Sequence, residues 1–173
     1  ISGFLPNLKG LYGDINGEIA INNILEKPAP IANLKIKNIV INKDVAGELI
    51  LNSSFDNGIV TSDMNLYGPN IDLKVNGMYN SDVTIDSFNF NIYLKRFNPK
   101  TLDHYLSEYL YNMNGNVMAN LVLMGKPAKP QLIGNITVDT LDAIINTIHT
   151  RYFFKNQTVV LKPNLISFKD LAF

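Results

Sequence analysis

The 173-residue sequence predicts a mainly β protein: an elongated, curled antiparallel sheet forming an open groove, built from repeats, with one short amphipathic helix. Three observations carry that prediction. Apolar and polar residues alternate in twos along most of the chain, the pattern of strands with one wet side. The stretch Leu11 to Ile41 returns without a gap as Met113 to Ala143, every position shifted by 113 − 11 = 102. Short connections rich in Asn, Asp, Gly and Pro separate the alternating segments, as hairpin turns would.

Taken in order, Leu11, Gly13, Ile15, Gly17, Ile19 and Ile21 fall on one face of the first strand, and Tyr12, Asp14, Asn16, Glu18 and Asn22 on the other. Leu34 and Ile36 follow, then Gly47, Leu49, Leu51 and Phe55, then Val60, Met64 and Leu66. Ile71, Leu73 and Val75, then Val83 and Ile85, and finally Phe88, Phe90, Ile92 and Leu94 continue the pattern. The apolar phase slips by one residue between Ile36 and Ile39 and again between Ile85 and Phe88, as a β-bulge or sharp bend requires. Asp56-Asn57-Gly58, Gly68-Pro69-Asn70 and Asn80-Ser81-Asp82 have the chemistry of hairpin turns, so the strands should form an antiparallel meander.

One segment breaks the alternation. Asn98-Pro99 supplies a cap and a pre-set first helical residue, and Leu102, Tyr105, Leu106, Tyr109 and Leu110 recur at the 3.6 period. A helix is expected over Lys100 to Tyr111. Phe4, Leu8 and Leu11 have the look of the tail of a similar helix before the first copy.

The repeat keeps detail as well as period. Gly13 falls on Gly115, Ile15 on Val117, Ile19 on Leu121, Ile21 on Leu123, Lys27-Pro28 on Lys129-Pro130, Leu34 on Ile136 and Ile36 on Val138. Copy one should span about 11–98 and a truncated copy two about 99–173, which reads as an excerpt of a longer repeated β-groove domain. Repeats that bury their apolar faces by stacking build extended surfaces more often than catalytic pockets.

Composition narrows the function classes. The 15 basic and 15 acidic residues are scattered singly, with no like-charge run to suit a nucleic acid or an anionic membrane surface. Cysteine is absent, which removes disulfides, zinc-thiolate sites and thiol catalysis. No apolar run approaches the roughly 20 residues that span a bilayer. Asparagine is unusually frequent and reads as compositional bias. His104 and Glu108 stand four apart on the expected helix without a third ligand nearby, His149 has no evident carboxylate or nucleophile partner, and Asp14 to Glu18 lacks the full ligand series of a calcium loop. With no nucleophile elbow and no phosphate-binding loop either, neither an enzyme nor a cofactor is expected.

The run Asn114 to Val138, followed by Ile148-His149-Thr150 and Arg151-Tyr152-Phe153-Phe154, resembles the C-terminal (DUF490-type) region of the TamB family of translocation and assembly module subunits, within the wider AsmA-like group. That family repeats a Gly, an alternating strand, a small polar linker with Pro, then Leu-x-Gly and another strand, ending in a short apolar-Gly-Thr element. Here His149 stands where the family has glycine. The resemblance implies a long curled sheet with an apolar concave face, in the periplasmic portion of an inner-membrane-anchored protein of Gram-negative bacteria whose outer-membrane partner is an Omp85-type barrel. It also implies one of two activities, movement of phospholipid between the membranes or assistance in inserting outer-membrane proteins by templating strands. A structural β-domain with a closed core is the third expectation. The lipid groove makes a sharp demand, an uncharged apolar face, and the residues expected to line it and touch acyl chains are Ile15, Ile19, Ile21, Leu34, Ile36, Leu49, Leu51, Val60, Met64, Leu66, Leu73, Val75, Val117, Leu121, Leu123, Ile136 and Val138.

Overall fold

The computed structural model describes residues 11–22, 29–41, 44–80, 87–126 and 128–169. They form ten strands: β1 (Leu11–Asn22), β2 (Ala29–Ile41), β3 (Asp44–Asp56), β4 (Ile59–Tyr67), β5 (Ile71–Asn80), β6 (Phe88–Phe97), β7 (Leu110–Lys126), β8 (Lys129–Ile145), β9 (Thr150–Lys162) and β10 (Leu165–Lys169). Each strand pairs antiparallel with its successor, and the single sheet is not closed into a barrel.

Turn chemistry sets the hairpins. Asp56 pairs with Ile59 around Asn57 and Gly58, whose φ angles of 48° and 82° are both positive, the two-residue turn whose twist matches that of the strands it joins. Gly68 donates its N–H to Ile71 O (2.8 Å) across the next turn. Val83, Ile85, the slip after Ile85, Ser81-Asp82, Pro28 and the segment containing Phe4 and Leu8 lie outside the described residues.

The repeat is visible in the pairing. Ile15↔Ile36, Gly17↔Leu34 and Ile19↔Ala32 join β1 to β2, and their counterparts 102 residues later, Val117↔Val138, Ala119↔Ile136 and Leu121↔Gly134, join β7 to β8. Tyr12↔Val40 and Asn114↔Asp142 correspond in the same way beyond the bulge.

The expected slip between Ile36 and Ile39 is a bulge at which β2 gains a residue on both neighbours, with Asn38 at φ 53°. Two further bulges lie nearby, in β6 between Leu94 and Phe97, at the level of the β2 bulge, and in β8 between Val138 and Thr140, one row farther along the sheet. Each flips the facing of the residues beyond it, and the sequence slips with it, so Ile39, Phe97 and Leu141 rejoin the face left at Ile36, Leu94 and Val138.

The helix is shorter than expected. Asn98 Oδ1 accepts from Lys100 N (3.0 Å) as the predicted cap, but only a 3₁₀ turn over Pro99–Leu102 and α1 (Asp103–Leu106) form. Leu110 and Tyr111 belong instead to β7, paired with Ile145 and Ile144. A segment of that length is a marginal helix alone, and strand pairing outcompetes its last turn. Tyr105 and Tyr109 are consequently exposed, not buried as an apolar stripe. Asp103 Oδ1 accepts from Met113 N (2.9 Å), fixing α1 on the stretch of β7 that β6 does not reach.

There is no second layer over the sheet among the described residues. The accessible surface is 11777 Å², against about 8,500 Å² for a compact protein of this mass. Among the described residues the buried apolar side chains include Ala32, Ile39, Val60, Met113, Ala119, Leu121 and Ala143, a sparse core strung along the sheet. Among the described residues the sheet neither closes into a barrel nor packs against a second sheet.

Two positions test how the sheet bends. Gly134 has φ 132°, and a Cβ there would collide with Asn120 O of the neighbouring strand. Gly134→Val should cost about 2–4 kcal/mol in chemical denaturation. His149 holds φ 49° in the β8–β9 turn, so His149→Gly should raise stability by about 0.5–1 kcal/mol.

Candidate functional site: an open apolar face

Following the register across the sheet gives rows of side chains on one face. The first runs Ile15, Ile36, Leu49, Leu66, Leu73, Leu94, Ala119, Ile136, Val159 and Phe168, one residue from each strand. The second runs Gly17, Leu34, Leu51, Met64, Val75, Ile92, Leu121, Gly134, Leu161 and Ile166. A third, Ile19, Ala32, Ser53, Ser62, Gly77, Phe90, Leu123 and Leu132, is apolar with two serines in its middle. Beyond the bulges Ile71, Phe97, Val117 and Val138 continue the face as far as Gln157. No Lys, Arg, Asp or Glu stands in any of these rows.

Of the seventeen residues expected from the sequence to line a groove, the sixteen whose side chains are described occupy this one face. They differ in depth. Ile15 (55 %) and Ile19 (63 %) on β1 are the most exposed, Val60 (6 %) and Leu121 (8 %) are buried, and the side chain of Ile21 is not among those described. The others are half-buried. Sequence reasoning left out Leu94, Ile92 and Phe90, which bridge the two copies, and Val159, Leu161, Ile166 and Phe168 on β9 and β10. Their signal was the same period of two.

Along β6 the burial is that of the inner side of a curve. On β6 Phe88, Phe90, Ile92 and Leu94 are half-buried while Asn89, Asn91, Tyr93 and Lys95 are exposed, although no layer of the described residues lies over either side. Side chains on the inside of a curve crowd one another and those outside splay apart, so curvature alone produces that alternation. Glycine kinks and bulges are the devices that bend a sheet, and Gly17, with φ 144° and its Cβ position filled by Asn33 O, lies on this face as Gly134 does.

Charges gather on the convex side. Lys35 Nζ lies 2.6 Å from Glu48 Oε1, to which Tyr67 also donates (3.1 Å). The Lys35 hydrogen bond holds the Glu48 carboxyl below its ordinary value, and the same bond raises Lys35; the acceptor Glu48 raises Tyr67. Arg151 grips Asp142 with both arms, Nε to Oδ1 at 2.7 Å and Nη2 to Oδ2, which lowers the aspartate. Lys74–Asp63 (3.6 Å) and Lys95–Asp72 (3.9 Å) are looser pairs. This side is not uniformly polar: Val122, Ile133 and Val160 make it mixed over β7 to β9.

The chemistry of the remaining candidates is thin. His104 lies in α1 and Glu108 in the turn beyond it, so the two do not share a helix. No group of three His, Cys, Asp or Glu side chains suited to a metal ion occurs among the described residues. A cavity of about 430 Å³ lined by Asn70, Asn98, Lys100, Thr101, Asp103, Asn112, Met113 and Asn114 opens at the rim beside α1, away from the apolar rows. No helix among the described residues is long and apolar enough to cross a membrane. Comparison with protein-family models, with curated proteins and with solved structures finds no match to this chain.

The ion pairs predict a pH profile. Glu48 and Asp142, lowered in the fold, contribute stability above their ordinary values and lose it as pH falls through the lowered ones. Lys35, raised, contributes below its ordinary value and loses its share as pH rises through the raised one. Denaturation midpoints should thus be flat between these limits, with an acid limb that Glu48→Gln shallows and that salt weakens.

Proposed function

We propose that the concave face is a hydrophobic groove that holds phospholipid acyl chains, with head groups left in water along the rim, and that the chain is part of a scaffold along which lipid passes between membranes. The observation that carries this reading is the set of charge-free rows crossing all ten strands with no layer of the described residues over them. A face of this size is rarely left to water in a soluble protein unless something apolar occupies it. A slot apolar along its walls and open on one side suits flexible chains that slide, because no directional bond fixes any one position. The groove makes no covalent demand, in keeping with a protein that is not an enzyme. The resemblance to the TamB family extends the proposal to a periplasmic setting, an inner-membrane anchor outside this chain and an Omp85-type barrel as partner.

Native mass spectrometry of the purified chain should show co-purifying phospholipid, and a photo-reactive residue at Leu66, Leu73 or Ile136 should crosslink to it while one at Asn91 or Lys95 does not. Leu73→Lys should lower the lipid recovered by about tenfold, since an unpaired charge in an apolar slot is costly. Its fold should survive with a loss of about 1–3 kcal/mol, because a half-buried position lets the amine reach water. Leu121, buried between β6 and β8, is a poor probe: charge there unfolds the sheet whatever the groove holds. Crosslinking equal from both faces would reject the groove.

A further inference from the structure

We infer that the face opposite the apolar rows binds a neutral, hydroxyl-rich glycan laid across β2 to β6. Along the middle of those strands Asn33, Asn52, Asp63, Asn76 and Asn91 stand directly opposite one another, with Glu18 of β1 continuing the row. Every one of these side chains ends in a carboxamide or a carboxylate. On β7 and β8 the same row passes to Val122 and Ile133, so the polar run stops at β6.

Folding does not call for this row. Asn and Asp are depleted in strands, and a wet strand position is better filled by Thr, which favours extended backbone. A ladder of amides offsets that when its side chains bond to one another, as stacked Asn side chains do in cross-β assemblies. Here, among the described residues, one bond runs along the row, from Asn91 Nδ2 to Asn76 Oδ1 (3.3 Å), while Asp63 Oδ1 accepts from Asn65 Nδ2 of the next row (2.6 Å). Asn33 and Asn52 are exposed, and their side chains bond to no other described residue. The hydrogen-bonding capacity of the row is turned outward.

That capacity suits sugar hydroxyls. A carboxamide offers donor and acceptor side by side, as two neighbouring hydroxyls do, and a carboxylate accepts from a further pair. Strands lie about 4.7–4.9 Å apart, close to the rise of one pyranose in an extended β-1,4-linked glycan, so successive sugars meet successive strands. From β2 to β6 the track runs about 19 Å, the length of about four sugars. Tyr93, 53 % exposed and two residues along β6 from Asn91 on the same face, presents a ring of the kind that packs on the apolar side of a pyranose. Lys35, Lys74 and Lys95 stand against Glu48, Asp63 and Asp72, which leaves no field of one sign for a polyanion and favours an uncharged chain. This surface lies across the sheet from the proposed lipid groove and does not depend on it.

Titration of the isotope-labelled chain with chitohexaose, a neutral β-1,4-linked probe, followed by NMR, should move the side-chain amide signals of Asn33, Asn52, Asn76 and Asn91, with a Kd of about 0.1–1 mM. Asn52→Thr and Asn91→Thr should each weaken binding about three- to tenfold while raising Tm by about 1–2 °C, because Thr suits a strand better than Asn. Ile133→Thr, on the same face but past the end of the row, should leave binding unchanged. The inference is overturned if neither chitohexaose nor cellohexaose moves these signals at about 10 mM, or if the signals that move belong to the apolar face. A fall in Tm for Asn52→Thr would also overturn it, since the row would then serve the fold.

Discussion

The structure depends on one constraint: side chains alternate along a strand with a period of two, so ten strands can present one apolar face only if every neighbour keeps the same parity. A single uncompensated slip would turn a whole strand inside out. Three of the bulges show how the constraint is met, because at Asn38, at Lys95 and Arg96, and at Asp139 the backbone gains a residue where the sequence also skips one. Backbone and sequence err together. The two copies meet the constraint at equivalent places, in β2 and β8, which gives the repeat a physical meaning beyond shared ancestry of composition.

The same features shape the sheet. The bulges lie in adjacent rows, between Leu94 and Phe97 on β6 and between Val138 and Thr140 on β8, so the irregularity is spread over several strands instead of breaking one. Glycines whose Cβ would strike a neighbouring carbonyl lie on the apolar side, where the strands fold toward one another. Asp103, Pro99 and Met113 then fasten a short helical turn where β6 falls short of β7. Curvature, uncharged rows and an uncovered face thus share one origin in strand parity.

The strand pattern was legible because each strand has one wet side. The Asp56-Asn57-Gly58 turn and the slip from Ile36 to Ile39 were legible for the same local reason, as was the register of the repeat. The slips from Leu94 to Phe97 and from Val138 to Leu141 have the signature of the first, yet passed unnoticed because Lys95-Arg96 and Asp139-Thr140 look like ordinary wet positions. The helix to Tyr111 failed because a 3.6 period over Leu102, Tyr105, Leu106 and Tyr109 says nothing of the competing partners Ile144 and Ile145, distant in sequence. Asparagine, taken as mere bias, has a structural use: Asn38, Asn57, Asn112, Asn156 and Asn164 all occupy left-handed backbone at bulges and turns, a conformation that Asn tolerates better than other side chains. His149 does the same in the β8–β9 turn. The seventeen groove positions could be assigned to one face from alternation, but not their depth, since only the placement of β6 over β7 makes Leu121 buried while its counterpart Ile19 is exposed.

That difference between equivalent positions bears on what the sheet requires of its surroundings. A lone sheet with one half-buried apolar face gains less from burial than a two-layered one, so its stability rests more on cross-strand pairs and backbone bonds. Whatever occupies the groove removes further apolar surface from water and binds the folded state alone, which couples occupancy to folding. The coupling is uneven. Along the middle strands, Leu66, Leu73 and Val75 are already half-shielded by their neighbours, and an apolar ligand adds to a fold that stands without it. At β1, where Ile15 and Ile19 are more than half exposed, added apolar cover removes more surface from water than it does at the centre. Further burial of apolar surface therefore changes stability more at β1 than along the middle strands, whose neighbours already shield them.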